Sequence, residues 1–232
     1  MVCLVGAFDL SHTYKIGNSR DGVDNVLFNL NVPGVVVDGS AATITGDFNA
    51  AQNITVSVGA SDTRITGFEL QVGFIIVESG ISNILIDNNH ISYAVFPNGN
   101  AGLIRTLGGS GAGTADVFIQ ENVLEQVHGC NAEFCSPGSA LPWNQSTDAL
   151  HLGCVTKQGA GGDHTIAGNT MQGCPSLVFL KHPDPGAVVA IQNNTFIDAQ
   201  RPGKGGDVSV TPVTSGNTYD NVGSCTSCWE EN

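Results

Sequence analysis

The chain has 232 residues, only 12% of them charged, with 8 Lys plus Arg set against 21 Asp plus Glu for a net charge of −13. Nucleic acid and anionic membrane surfaces would repel such a chain, and a polyanionic glycan would need calcium or a local basic patch to approach it. No apolar run is long enough to cross a bilayer as a helix, so membrane insertion is not expected.

In chain order, MVCLVGAFDL is apolar but has neither a basic first segment nor an obvious cleavage site, so no signal peptide is evident in it. Residues 1–30 read as an N-terminal cap and first coil. Short β-branched runs follow: VVVDG at 35–39, NITVSV at 53–58, FIIVE at 74–78, NILID at 83–87, DVFIQ at 116–120, SLVFL at 176–180 and AVVAI at 187–191, each bounded by Gly, Asn, Ser or Asp. No stretch sustains apolar spacing of three and four with caps at both ends, which excludes helix-containing repeats. Residues 223–232 form a tail.

The runs belong to a repeat. Placing Ile86, Ile119, Ile166, Ile191 and Thr214 in register brings Asn89, Asn122, Asn169, Asn194 and Asn217 into one column, with Ile91, Leu124, Met171, Phe196 and Tyr219 two places later. ITGFEL, anchored on Ile65, and TITGDF, anchored on Thr43, read as degenerate earlier copies. A unit of this size buries its apolar face only against its neighbours. Insertions near 94–101 and 128–147 interrupt the period. Asparagine tolerates left-handed backbone and bonds to nearby main chain, so it can turn a strand sharply, and stacked asparagines can bond amide to amide.

This pattern resembles the right-handed parallel β-helices of the pectin-lyase-like superfamily over most of residues 30–222. The expected fold is all-β: a single solenoid domain of about seven to eight coils, each of three short strands, roughly 35 Å long at about 4.8 Å per layer. The scaffold itself does not specify function.

Seven cysteines and the sequons at Asn53, Asn144 and Asn193 fit an extracellular or surface-exposed protein. The expected pairs are Cys130 with Cys135, Cys154 with Cys174 and Cys225 with Cys228, leaving Cys3 over. A zinc site built on CTSC lacks two nearby ligands. The odd cysteine and the open ends of a solenoid lead to an expectation of self-association.

The resemblance implies a groove along the first strand of each coil, beside the insertions. Aligning GLIRT at 102–106, DALHL at 148–152 and SLVFLK at 176–181 makes Arg105, Asp148, His151 and Lys181 outward-facing candidates, with Glu78 in an earlier layer. Such groups could abstract a proton beside a uronate carboxylate and stabilise the resulting anion. ENVLEQV with STDALHLGC, and LVFLKHPDPGAVVAIQNNTF, are also similar to two passages of family 3 pectate lyases. That similarity implies a calcium-binding role for Asp148, matches His182 to a family histidine and leaves Arg201 as the basic residue beyond them. The chain departs from the family in the long segment between Val127 and Asp148 and in Pro183-Asp184-Pro185-Gly186, which replaces a triple glycine.

Two functions follow as expectations. The first is a non-catalytic structural or glycan-contacting element, a stalk, fibre or coat, that requires no cofactor. The second is a polysaccharide lyase or glycosidase working in the groove, with calcium if a lyase; a glycosidase would pair Asp148 with Asp184 or Asp207. Ice binding needs longer threonine arrays than TIT at 43–45 and ITVS at 54–57.

Overall fold

The structure, a computed structural model, describes residues 2–4, 25–39, 43–45, 54–92, 101–108, 114–126, 152–158, 162–174, 176–181, 186–199, 201–206 and 212–223. Its strands form three parallel sheets of seven, eight and seven strands. The first sheet holds β2 (Asn25–Leu30), β5 (Ile54–Val58), β8 (Gly73–Val77), β11 (Ala101–Leu107), β14 (Leu152–Gln158), β17 (Ser176–Lys181) and β20 (Arg201–Gly206). The second holds β1 (Val2–Leu4), β3 (Val35–Asp38), β6 (Thr63–Thr66), β9 (Ser82–Asp87), β12 (Ala115–Gln120), β15 (His164–Ala167), β18 (Val189–Gln192) and β21 (Val213–Ser215). The third holds β4 (Thr43–Thr45), β7 (Glu69–Gln71), β10 (His90–Ser92), β13 (Val123–Glu125), β16 (Thr170–Gln172), β19 (Thr195–Ala199) and β22 (Thr218–Val222). The chain visits the sheets in turn, β8 to β9 to β10 and then β11, and so gains one layer per circuit. This is a parallel β-helix.

Alternation in the second sheet decides what lies inside. Ile65, Ile86, Ile119, Ile166 and Ile191 pair in unbroken register and are fully buried. Whereas Tyr219 on β22 is exposed, one position in each of the five middle third-sheet strands completes the core: Leu70, Ile91, Leu124, Met171 and Phe196 are also fully buried. Each such side chain contributes roughly 1.5–3 kcal/mol of transfer free energy. The disulfide Cys154–Cys174, with a Cα–Cα distance of 5.5 Å, ties the start of β14 to the turn after β16 and so closes one circuit. Cys130, Cys135, Cys225 and Cys228 lie outside the described residues.

The corner between the second and third sheets is held by the asparagine column. Asn89, Asn122, Asn169 and Asn194 each donate backbone N–H and side-chain Nδ2 to the Oδ1 of the next asparagine, at 2.9–3.0 Å, ending on Asn217. Each Nδ2, that of Asn217 included, also donates to a carbonyl one layer back, from Ile65, Ile86, Ile119, Ile166 or Ile191. The buried amides are thereby satisfied within the stack. The left-handed residue of the turn is the one before the ladder position: Gly67, Asn88, Glu121, Gly168, Asn193 and Gly216 all have positive φ. The ladder asparagine itself supplies hydrogen bonds rather than backbone freedom, which corrects one half of the sequence argument.

Two register assignments change. Thr43 is not a second-sheet anchor: β4 pairs with β7 in the third sheet, and the partner of Ile65 is Val37. The stretch aligned with GLIRT is Gly153–Lys157, not 148–152, because β14 begins at Leu152 and pairs Gly102 with Gly153 and Arg105 with Thr156. The chain between β13 and β14 removes the periodic spacing that would have fixed this register.

Candidate functional site

Of the residues picked out for chemistry, the first sheet carries Arg105, Lys181 and Arg201. Arg105, on β11, is half-buried and lies between Ile76 and Thr156, with Phe179 in the next layer. Ile76, Thr156 and Phe179 are at most 9% exposed, so the column around Arg105 is covered rather than an open trough. Lys181 pairs with Gln158, which pairs with Leu107, so it stands two positions beyond Arg105's column and two layers away. The Cα separation this register implies is roughly 12 Å. Arg201 pairs with Ser176, at the opposite end of β17 from Lys181. Glu78 follows β8; its N–H donates to the Val58 carbonyl at 2.8 Å, and its carboxylate accepts from Ser57 Oγ at 3.4 Å. Thr114 Oγ1 lies 2.8 and 2.7 Å from the carbonyls of Glu78 and Leu107, its one proton shared between them, fastening the corner after this sheet. Asp148, His151, His182, Asn53 and Asn144 lie outside the described residues. Among the described residues no group of three or more His, Cys, Asp or Glu side chains is placed to hold a metal ion.

Inside the helix is a polar cluster that sequence reasoning missed. His164 is buried, with Nδ1 2.9 Å from the Gly162 carbonyl and Nε2 3.0 Å from Thr106 Oγ1. The carbonyl only accepts, so Nδ1 carries the proton and Thr106 donates to Nε2. Burial, and then the charge of the likewise buried Lys157, push the His164 pKa down to about 3, and the ring is neutral at ordinary pH. The signal was present in the repeat: His164 occupies the place that Ile84, Val117 and Val189 hold in their own strands.

The outer face of the third sheet holds a second missed group. His90 is clasped between layers, Nδ1 to Glu69 Oε2 at 2.8 Å and Nε2 to Glu125 Oε2 at 3.1 Å. Burial opposes its charged form, but the hydrogen bond to Glu125 and the charges of Glu69 and Glu125 outweigh it and raise the pKa. His90 follows a ladder asparagine, and in other layers Thr170, Thr195 and Thr218 occupy the same place, pairing in register. Thr195 and Thr218 are exposed, and their hydroxyls lie 3.3 Å apart. On the second sheet Arg64 donates to both carboxylate oxygens of Asp87, at 2.8 and 2.5 Å, and this hydrogen bonding raises the Arg64 pKa despite some desolvation.

No protein-family model, curated protein or solved structure matches this chain.

Proposed function

We propose that the chain is a surface-exposed structural β-helix that contacts neutral glycans through the outer face of its third sheet and does not cleave them. The observation that carries this reading is the in-register column Thr170, Thr195, Thr218 on consecutive layers. Repeating hydroxyls at the layer spacing of about 4.8 Å offer a polymer of repeating sugars repeated hydrogen-bond partners. The asparagine ladder keeps that face stiff, so little ordering entropy is lost on binding. The high negative charge favours neutral over anionic polysaccharides. Retention of the protein on insoluble neutral polysaccharides tests the reading; it should occur, and should drop in a Thr195→Val, Thr218→Val double variant. Absence of retention would refute it.

A second reading is a polysaccharide lyase or glycosidase using Arg105, Asp148, His151 and Lys181, with Asp148 as the calcium ligand. It is favoured by Arg105 and Lys181 sharing the first sheet, where strands β11 and β14 are each entered from a long connection. Absorbance by unsaturated uronate products on pectate, alginate or chondroitin, with and without calcium, separates the two readings.

A further inference from the structure

We infer that Asn193 is an N-glycan attachment site, an inference that rests on the extracellular reading above. The sequence Asn193-Asn194-Thr195 places two adjacent asparagines in one turn, and the structure gives them opposite roles. Asn194 is a buried rung: its Oδ1 accepts from Asn169, and its Nδ2 donates to the Ile166 carbonyl and to Asn217 Oδ1. Asn193 is exposed, with φ 53, and only its backbone is tied down, its N–H donating to the Ser215 carbonyl at 2.9 Å. Its side-chain Nδ2 makes no hydrogen bond among the described residues.

The layers on either side explain why a large substituent fits. In the left-handed column Asn193 is flanked by Gly168 before and Gly216 after, so neither flanking residue carries a side chain of its own. The Asn193 Oδ1 lies over Gly216, only 2.3 Å from where a Cβ would stand. The preceding pair in the column has the same geometry, the carboxylate of Glu121 lying over Gly168, so in both cases the glycine of the next layer leaves room for the side chain before it. Thr195, the third residue of the sequon, is exposed at the start of β19.

The reaction needs a lipid-diphosphate-linked oligosaccharide and the transferase that uses it. Asn193 Nδ2 attacks the anomeric carbon of the donor sugar. The N–C bond forms, the C–O bond to the diphosphate breaks, the lipid diphosphate leaves, and one of the two Nδ2 protons passes to a base of the transferase. Oδ1 over Gly216 and the backbone bond to Ser215 are untouched. The transferase acts before folding; the folded turn then determines that the glycan is tolerated, projecting from the corner between the second and third sheets.

The test is expression of the full chain behind a cleavable secretion signal in eukaryotic cells. Peptide-N-glycosidase in ¹⁸O-water then converts each glycan-bearing asparagine to labelled aspartate, which peptide mapping locates. Label at position 193 in most chains, lost in the Thr195→Val variant with an unchanged far-ultraviolet β spectrum, is the expected result. Chains unmodified at Asn193, whether secreted or retained in the cell, overturn the inference. Glycan retention by protein made without glycosylation is read separately, so failure of the functional reading and failure of this site are distinguishable.

Discussion

Asn169 gives both its backbone N–H and its side-chain Nδ2 to a single oxygen, Asn194 Oδ1, at 3.0 Å each. The same Nδ2 shares its two protons among Asn194 Oδ1 and the carbonyls of Ile119 and Ala167, and Asn169 Oδ1 accepts two bonds from Asn122. Removing this amide leaves the buried backbone N–H and one side-chain N–H of Asn122 without partners. Leaving such groups unpaired costs about 1–3 kcal/mol each, offset in part by relaxation. Asn169→Ala should therefore lose about 2–4 kcal/mol in a urea titration. Asn217→Ala, at the less buried last rung, should lose about 1 kcal/mol. Equal losses at the two positions would show that the bonds are not cooperative across layers.

Ile166 lies between Ile119 and Ile191 and is fully buried. Its truncation removes transfer free energy and opens a cavity in a core one residue thick per layer. Ile166→Ala should cost about 2–4 kcal/mol, read as a shift of the urea midpoint at unchanged slope. A loss near zero would mean that this column does not form the core in solution.

The anchor column and the asparagine column were legible because every layer must supply the same residue type at the same corner, so the requirement repeats in sequence. Thr43 was misassigned because TIT alternates equally well in either sheet, and no asparagine marks the corner before it. β14 was misplaced because a long connection precedes it and resets the spacing. His164 and Lys157 were missed for another reason: a pattern read from apolar residues passes over polar groups that lie inside. The left-handed residue fell one place from where the sequence put it. Glu121 shows why: at that position the backbone conformation is imposed by the turn, not advertised by the side chain.

Gly39 and Phe68 fit each other where the ladder gives out. Phe68 holds the ladder position of its layer, and its N–H donates to Asn89 Oδ1 at 3.0 Å. Its buried ring lies so close to Gly39 that an added Cβ would stand 2.4–2.7 Å from three ring carbons. Gly39→Ala should therefore destabilise the protein by about 1–3 kcal/mol through overpacking. Combining it with Phe68→Leu should recover part of the loss relative to the sum of the single variants. Strict additivity in this double-mutant cycle would rule out the contact as the cause.

His164 makes stability fall on the acid side. In the unfolded chain a histidine takes up a proton near pH 6.5, whereas the buried His164 resists protonation until about pH 3. The unfolded state therefore binds more protons between those values. The contribution of this neutral ring is present in full above pH 6.5 and is lost as pH falls toward 3, by up to about 1.4 kcal/mol per pH unit. His164→Gln, which keeps an acceptor for Thr106, should flatten the stability profile between pH 6.5 and 4. If wild type and variant lose stability in parallel there, other groups carry the acid response.

His90 acts in the neighbouring window and with the opposite sign. Both of its ring nitrogens face carboxylate oxygens, which only accept, so the doubly protonated ring is the form that satisfies Glu69 and Glu125 together. Gln71, which is uncharged, donates to Glu69 Oε1 at 3.4 Å. With the folded pKa raised above the unfolded value, the folded state binds more protons at and above pH 6.5. The stabilisation is complete below pH 6.5 and is lost as pH rises through the raised pKa. The His90 side chain is 37% exposed, so solvent screens the clasp and its contribution should be under about 1 kcal/mol. His164 varies little above pH 6.5 and equally in wild type and His90→Gln, so the difference between their urea midpoints at pH 6.5 and 8.5 isolates His90. Wild type should weaken over that interval at low salt, and His90→Gln should not. Added salt should shrink the difference. A wild-type midpoint that holds or rises between the two pH values, with the variant following it, would mean that the clasp does not form in solution.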